Sequence, residues 1–110
     1  MAAILVILGV LVAAASPARA DGTPVVQGAR LHTPPDSHEP QRALVALQND
    51  GPEAATHVTV LCTFTGTGGA ILDTQTAAVP IIAAGAAAST EAIYYGWPRA
   101  TAVACRLEPR

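Results

Sequence analysis

The chain has 110 residues, six arginines, no lysine and eight acids, a formal charge of −2. That length limits it to one small domain, and the mild acidity excludes the basic footprint of a nucleic-acid binder. A charged fraction of only 13%, with 24 alanines, excludes long disordered or coiled-coil segments.

Residues 1–20 are expected to be a secretory signal peptide rather than part of the fold. Residues 2–15 are apolar apart from Gly9, and Ser16-Pro17-Ala18-Arg19-Ala20 follows. A short apolar run, a helix-breaking proline and Ala-x-Ala form the pattern that a signal peptidase cuts. Cleavage is expected after Ala20. The alternative, a retained anchor, needs about 20 apolar residues, and Pro17 and Arg19 stop the run short. The mature domain would span 21–110, with charge −3 after loss of Arg19, in a periplasmic or secreted setting. A domain of that size buries only about two-thirds of its unfolded surface and gains from a covalent staple.

Within the mature part, residues 24–31 predict a short strand with Val25, Ala29 and Leu31 on one face. Residues 33–40, TPPDSHEP, hold three prolines and predict a loop. Residues 41–48 predict a strand with Ala43, Val45 and Leu47 on one face and Leu44 and Ala46 on the other, covered on both sides or partly so. Asn49-Asp50-Gly51-Pro52 is a turn. Residues 56–65 give the clearest strand: Val58, Val60, Cys62 and Phe64 alternate with His57, Thr59, Leu61, Thr63 and Thr65. Gly66-Thr67-Gly68-Gly69 turns the chain into a return strand over 70–79, a hairpin. Residues 80–85 are expected as a connection. For 86–95 the alanines favour helix, but Gly85, Ser89, Thr90 and the short length favour strand, which we take. After Gly96-Trp97-Pro98, Thr101, Val103, Cys105 and Leu107 mark a last alternating strand. Six or seven short strands between Gly/Pro turns predict an all-β, antiparallel, immunoglobulin-like β-sandwich.

Cys62 and Cys105 are the only cysteines. In an exported chain they predict one structural disulfide, closing a loop of about 43 residues worth roughly 4 kcal/mol on the chain-entropy account. Both lie in phase with apolar neighbours, so their strands must be adjacent or face each other across the core. No Cys-x-x-Cys supports a redox role.

From Arg42 onward the layout resembles the small bacterial extracytoplasmic immunoglobulin-like domains of the FxLYD type. The features are a strand ending in Asn49-Asp50-Gly51, then Ala55 with Val58 and Val60, a strand leading to a glycine turn, Ile71-Leu72, and Ile82 through Gly85 at the place of a Leu-x-Pro-Gly turn. The name-giving stretch falls on Cys62-Thr63-Phe64-Thr65-Gly66, which keeps the apolar alternation. The resemblance implies an extracytoplasmic module and assigns no activity.

Little in the chain suggests catalysis. Outside the signal the serines are Ser37 and Ser89, neither in a Gly-x-Ser-x-Gly elbow, and the carboxylates are scattered. No enzyme activity and no cofactor are expected. Gly66-Thr67-Gly68-Gly69 precedes neither a basic residue nor a helix start, so it is not a phosphate cradle. His32, Asp36, His38, Glu39 and His57 match no zinc spacing, and Asp21-Gly22-Thr23 lacks the third-position histidine of a copper clip. No metal site is expected. Tyr94, Tyr95 and Trp97 are three of the four aromatics, packed into four positions with Arg99 nearby. They either plug one end of the sandwich or form a platform for a peptide or glycan; since adjacent strand residues point to opposite faces, Tyr94 and Tyr95 cannot both be buried on one side. The expectation is an exported non-catalytic module, binding or structural, whose partner is another exported or envelope protein. The alternative is an accessory protein for a metal or small-molecule system using His32 and His38. Neither nucleic acid nor, after cleavage, a membrane span is expected.

Overall fold

A computed structural model describes residues 23–109 of the chain; the expected signal peptide lies outside the described residues. Six strands form in chain order: β1 (Pro24–His32), β2 (Gln41–Asn49), β3 (Ala55–Thr65), β4 (Ile71–Ile82), β5 (Ala87–Tyr94) and β6 (Ala102–Leu107). They make two three-stranded antiparallel sheets, β1-β2-β5 and β4-β3-β6. The sheets pack face to face as a small β-sandwich. The pairing of β2 with β5 and of β3 with β6 is the central pairing of an immunoglobulin-like sandwich.

The core is the inward phase of the two central strands. Ala43, Val45 and Leu47 of β2 meet Val58, Val60, Cys62 and Phe64 of β3, all buried. Ala77 and Ile82 of β4 and Ala92 and Tyr94 of β5 complete it. The outer side of β2 is only partly covered: Leu44 is half-buried and Ala46 exposed. The strand expected over 86–95 is β5, since Ser89 and Thr90 sit on a half-buried edge strand where alanines need not form a helix.

Two expectations are corrected. Val25 was expected inward with Ala29 and Leu31, but it is 45% exposed. The β1–β2 register shifts between Val26 and Gly28, so Gln27 is an extra residue and Val26 takes the inward place opposite Leu47. Residues 80–82 were expected as connection, but they continue β4. Pro80 is tolerated because β4 is an edge strand. The ladder pairs Thr56 with Ile81 and Val58 with Val79 and omits the pair between them, Pro80 and His57. His57 there has φ 53° and its side chain is exposed.

The disulfide joins Cys62 and Cys105. They are direct partners in the β3–β6 ladder, with Cα atoms 4.0 Å apart. The strands are therefore neighbours in one sheet, and the bridge ties the edge strand β6 to the centre of its sheet. Among the described residues no helix is long and apolar enough to cross a membrane.

Candidate functional site

One end of the sandwich gathers the β1–β2 loop (33–40), the β3–β4 turn (66–70) and the β5–β6 loop (95–101). Binding surfaces concentrate on such loops when a rigid scaffold holds them. Here polar side chains supply that hold. Gln41, the first residue of β2, is 1% exposed. Its Nε2 donates to Thr33 Oγ1 (2.9 Å) and to the Ala100 carbonyl (2.9 Å), and its Oε1 accepts from Ala100 N–H (2.7 Å). The amide acts as a short strand that pairs with the β5–β6 loop. Thr101 N–H bonds to the Thr65 carbonyl (2.8 Å) and fastens the same loop to β3.

Arg99 reaches from that loop into the other. Its Nη1 donates to the carbonyls of Ser37 (3.2 Å) and Glu39 (2.9 Å), and its Nη2 to that of Pro34 (2.9 Å). Three carbonyls of a proline-rich loop, which makes few bonds of its own, find their donors in one guanidinium.

The aromatic group divides as strand geometry requires. Tyr94 points inward, 4% exposed, with its ring stacked on Phe64 at 5.3 Å between centroids. Its hydroxyl donates to the Pro98 carbonyl (2.6 Å). Gly96 passes so close that a Cβ there would lie 2.5 Å from the Tyr94 ring, so the position requires glycine. The Trp97–Pro98 peptide is cis. Tyr95 and Trp97 point away from the core, 77% and 73% exposed. Of the four residues expected as a binding surface, Tyr95 and Trp97 lie open. Tyr94 belongs to the core, and Arg99 is half-buried with its guanidinium bonded to the neighbouring loop.

Tyr95 and Trp97 line one small cleft of about 90 Å³, together with Tyr94, Arg99 and residues 37–41 of the neighbouring loop and strand. Two larger hollows lie elsewhere. One, about 590 Å³, opens at the opposite end between the start of β1 and the end of β6. The other, about 670 Å³, is a shallow trough across the outer face of β1, β2 and β5. Neither contains an aromatic residue, and the trough is lined mainly by small side chains such as Gly28, Ala46 and Ser89. We place the candidate site at the aromatic cleft despite its size, because that is where apolar rings and polar groups converge.

The histidines lie apart. His32 ends β1 and His57 sits on β3, both exposed. The His38 side chain is 93% exposed, with Nδ1 3.3 Å from an Asp36 carboxylate oxygen. Among the described residues no three His, Cys, Asp or Glu side chains converge as a metal-holding group.

In the sequence Gln41 marks only the start of a strand, and Asn49 and Gly96 mark only turns, although Asn49 is the buried last residue of β2. The first two had a legible signal: both are polar, yet they share the inward phase of Ala43, Val45 and Leu47. Asn49, fully buried, donates to the carbonyls of Glu53 (2.8 Å) and Ile82 (3.0 Å) and accepts from Gly51 N–H (3.1 Å) at the far end of β2. Comparison with protein-family models, with curated proteins and with solved structures gives no match.

Proposed function

We propose that the chain is an exported, non-catalytic binding module that engages another exported or envelope protein through the loop end carrying Tyr95 and Trp97. One observation carries this reading. The domain holds four aromatic residues, stacks two of them in its core, and leaves the other two more than 70% exposed on the rim of one cleft. Large rings at a loop end held by side-chain bonds supply contact area at low entropic cost, as in protein-recognition surfaces. The apolar run before Ala18-x-Ala20, the resemblance to FxLYD-type domains and the disulfide support export.

The test places a photo-crosslinking side chain at position 95 or 97 in cells making the full chain, with position 46 on the outer face of β2 as control. A discrete adduct at 95 and 97 that is absent at 46 supports the reading. Equal adducts at all three positions, or none at the loop end, overturns it. Amino-terminal sequencing of the same exported material should begin at Asp21; an intact Met1 in the membrane fraction would make residues 1–20 an anchor.

A further inference from the structure

We propose that the free edge of β5 pairs with β5 of a second copy of the chain, antiparallel and centred on Thr90, so that the β1-β2-β5 sheets of two copies become one six-stranded sheet. The contact goes beyond the loop-end surface and needs neither Tyr95 nor Trp97.

The backbone of β5 comes first. Asn49 N–H donates to the Ala86 carbonyl (2.9 Å), which fixes the phase of the β2–β5 ladder. Residues 88, 90, 92 and 94 turn their N–H and C=O groups to β2, and Ala87, Ser89, Glu91 and Ile93 turn theirs away from it. Among the described residues none of these outward backbone groups has a hydrogen-bond partner. An open row of this kind is a template for another strand.

The other three edges are blunted, each in a different way. β1 carries the bulge at Gln27. β4 carries Pro80, where the ladder omits a pair. β6 has only six residues. Such irregular or short edges resist strand addition. β5 has eight residues, no proline, no glycine, no basic side chain and an unbroken register with β2. β4 lies opposite it in the other sheet, and since Pro80 offers no N–H, the continuation is confined to the sheet that contains β5.

The sequence of β5 then selects a register with itself. In a two-fold antiparallel pair, outward residues must face outward residues. Centring on Glu91 would set that carboxylate directly against its own copy, a destabilising pair. Centring on Ser89 would set Ile93 against Gly85, which lies outside β5 and whose N–H already serves the Asn49 carbonyl (2.7 Å). Centring on Thr90 sets Ala87 against Ile93 and Ser89 against Glu91, and uses every outward group of the strand. It also brings Thr90 beside its own copy, and Thr–Thr is a favourable cross-strand pair. The Arg42 guanidinium, 3.5 Å from the Glu91 carboxylate, offsets the one charge on this edge.

The test is sedimentation of the exported protein over a wide concentration range. The weight-average mass should rise from one chain to two. Ser89→Pro removes an N–H of the free edge and none of the β2–β5 ladder, so melting at low concentration should hold while dimerisation weakens at least about tenfold. Ser89→Glu sets a second carboxylate against Glu91 of the other copy and should weaken association, more so at low salt; Ser89→Lys should tighten it. These two changes at an exposed position carry the test if the proline variant does not fold. A protein that stays monomeric up to its solubility limit overturns the proposal. So does a dimer that Ser89→Pro and Ser89→Glu leave unchanged. A dimer lost in Trp97→Ala but kept in the Ser89 variants would place the contact at the loop end, and also overturns it.

Discussion

The Gln41 amide ties β2 to the β5–β6 loop, and a single substitution tests that tie. Gln41→Met keeps the volume and removes every hydrogen bond. The methionine leaves Ala100 N–H and C=O, in a residue 6% exposed, without the partners they now have at 2.7 and 2.9 Å. A buried polar group left unpaired costs about 1–3 kcal/mol, so two cost about 2–6 kcal/mol, against a total stability of about 5–15 kcal/mol for a domain. A small domain moves about 4–8 °C per kcal/mol, so thermal unfolding followed by circular dichroism should shift down by at least about 8 °C. Gln41→Glu is the sharper control. It restores an acceptor for Ala100 N–H but sets a carboxylate oxygen against the Ala100 carbonyl, so polarity without the donor should not rescue the fold. A methionine variant within about 0.5 kcal/mol of the parent, or a glutamate variant as stable as the parent, would falsify the account of Gln41 as a surrogate strand.

Under denaturing, non-reducing conditions the exported protein should show no titratable thiol, and Cys62→Ser with Cys105→Ser should cost about 2–5 kcal/mol in urea unfolding; two reactive thiols would contradict the Cys62–Cys105 bridge. Gly96→Ala puts a Cβ 2.5 Å from the Tyr94 ring and should cost about 1–3 kcal/mol by overpacking, whereas Gly28→Ala, with nothing within 4 Å of the new atom, should cost far less. His32→Ala with His38→Ala, both exposed, should move stability by no more than about 0.5 kcal/mol; zinc or copper binding in calorimetry that vanishes in this double variant would revive the metal-accessory reading.

The two cysteines were legible because each sits in an unbroken apolar alternation, Val58-Val60-Cys62-Phe64 and Val103-Cys105-Leu107, and period two fixes the face. The same rule failed at Val25 because one extra residue, Gln27, inverts the phase. Nothing in VVQGAR marks that bulge except the glycine after it. Pro80 misled for a different reason: proline denies a central strand, and only the pairing shows that β4 is an edge. Tyr94 and Tyr95 were separable in principle, since adjacent strand positions diverge, but which of them faced inward depended on the register with Gln41. The role of Arg99 was out of reach. Its three acceptors are backbone carbonyls some sixty positions away, and a carbonyl leaves no trace in the amino-acid code.

Gln41, Asn49 and Arg99 share one physical problem. A chain with so few charged side chains must still satisfy the irregular backbone at both ends of its sandwich, because buried carbonyls and N–H groups without partners are costly. It does so with side-chain amides at the two ends of β2 and one guanidinium from the 95–101 loop. The residues that hold the loops are thereby distinct from those of the proposed binding surface, Tyr95 and Trp97, neither of them buried. The two groups should therefore respond differently to substitution. Changes at Gln41 or Arg99 should lower the melting temperature and weaken any binding in proportion to the fraction unfolded or misplaced. Changes at Tyr95 or Trp97 should leave melting unchanged and act on affinity alone. A variant at Trp97 that melts several degrees lower would mean that the exposed ring supports the loop, and that support and recognition are not divided between residues in this domain.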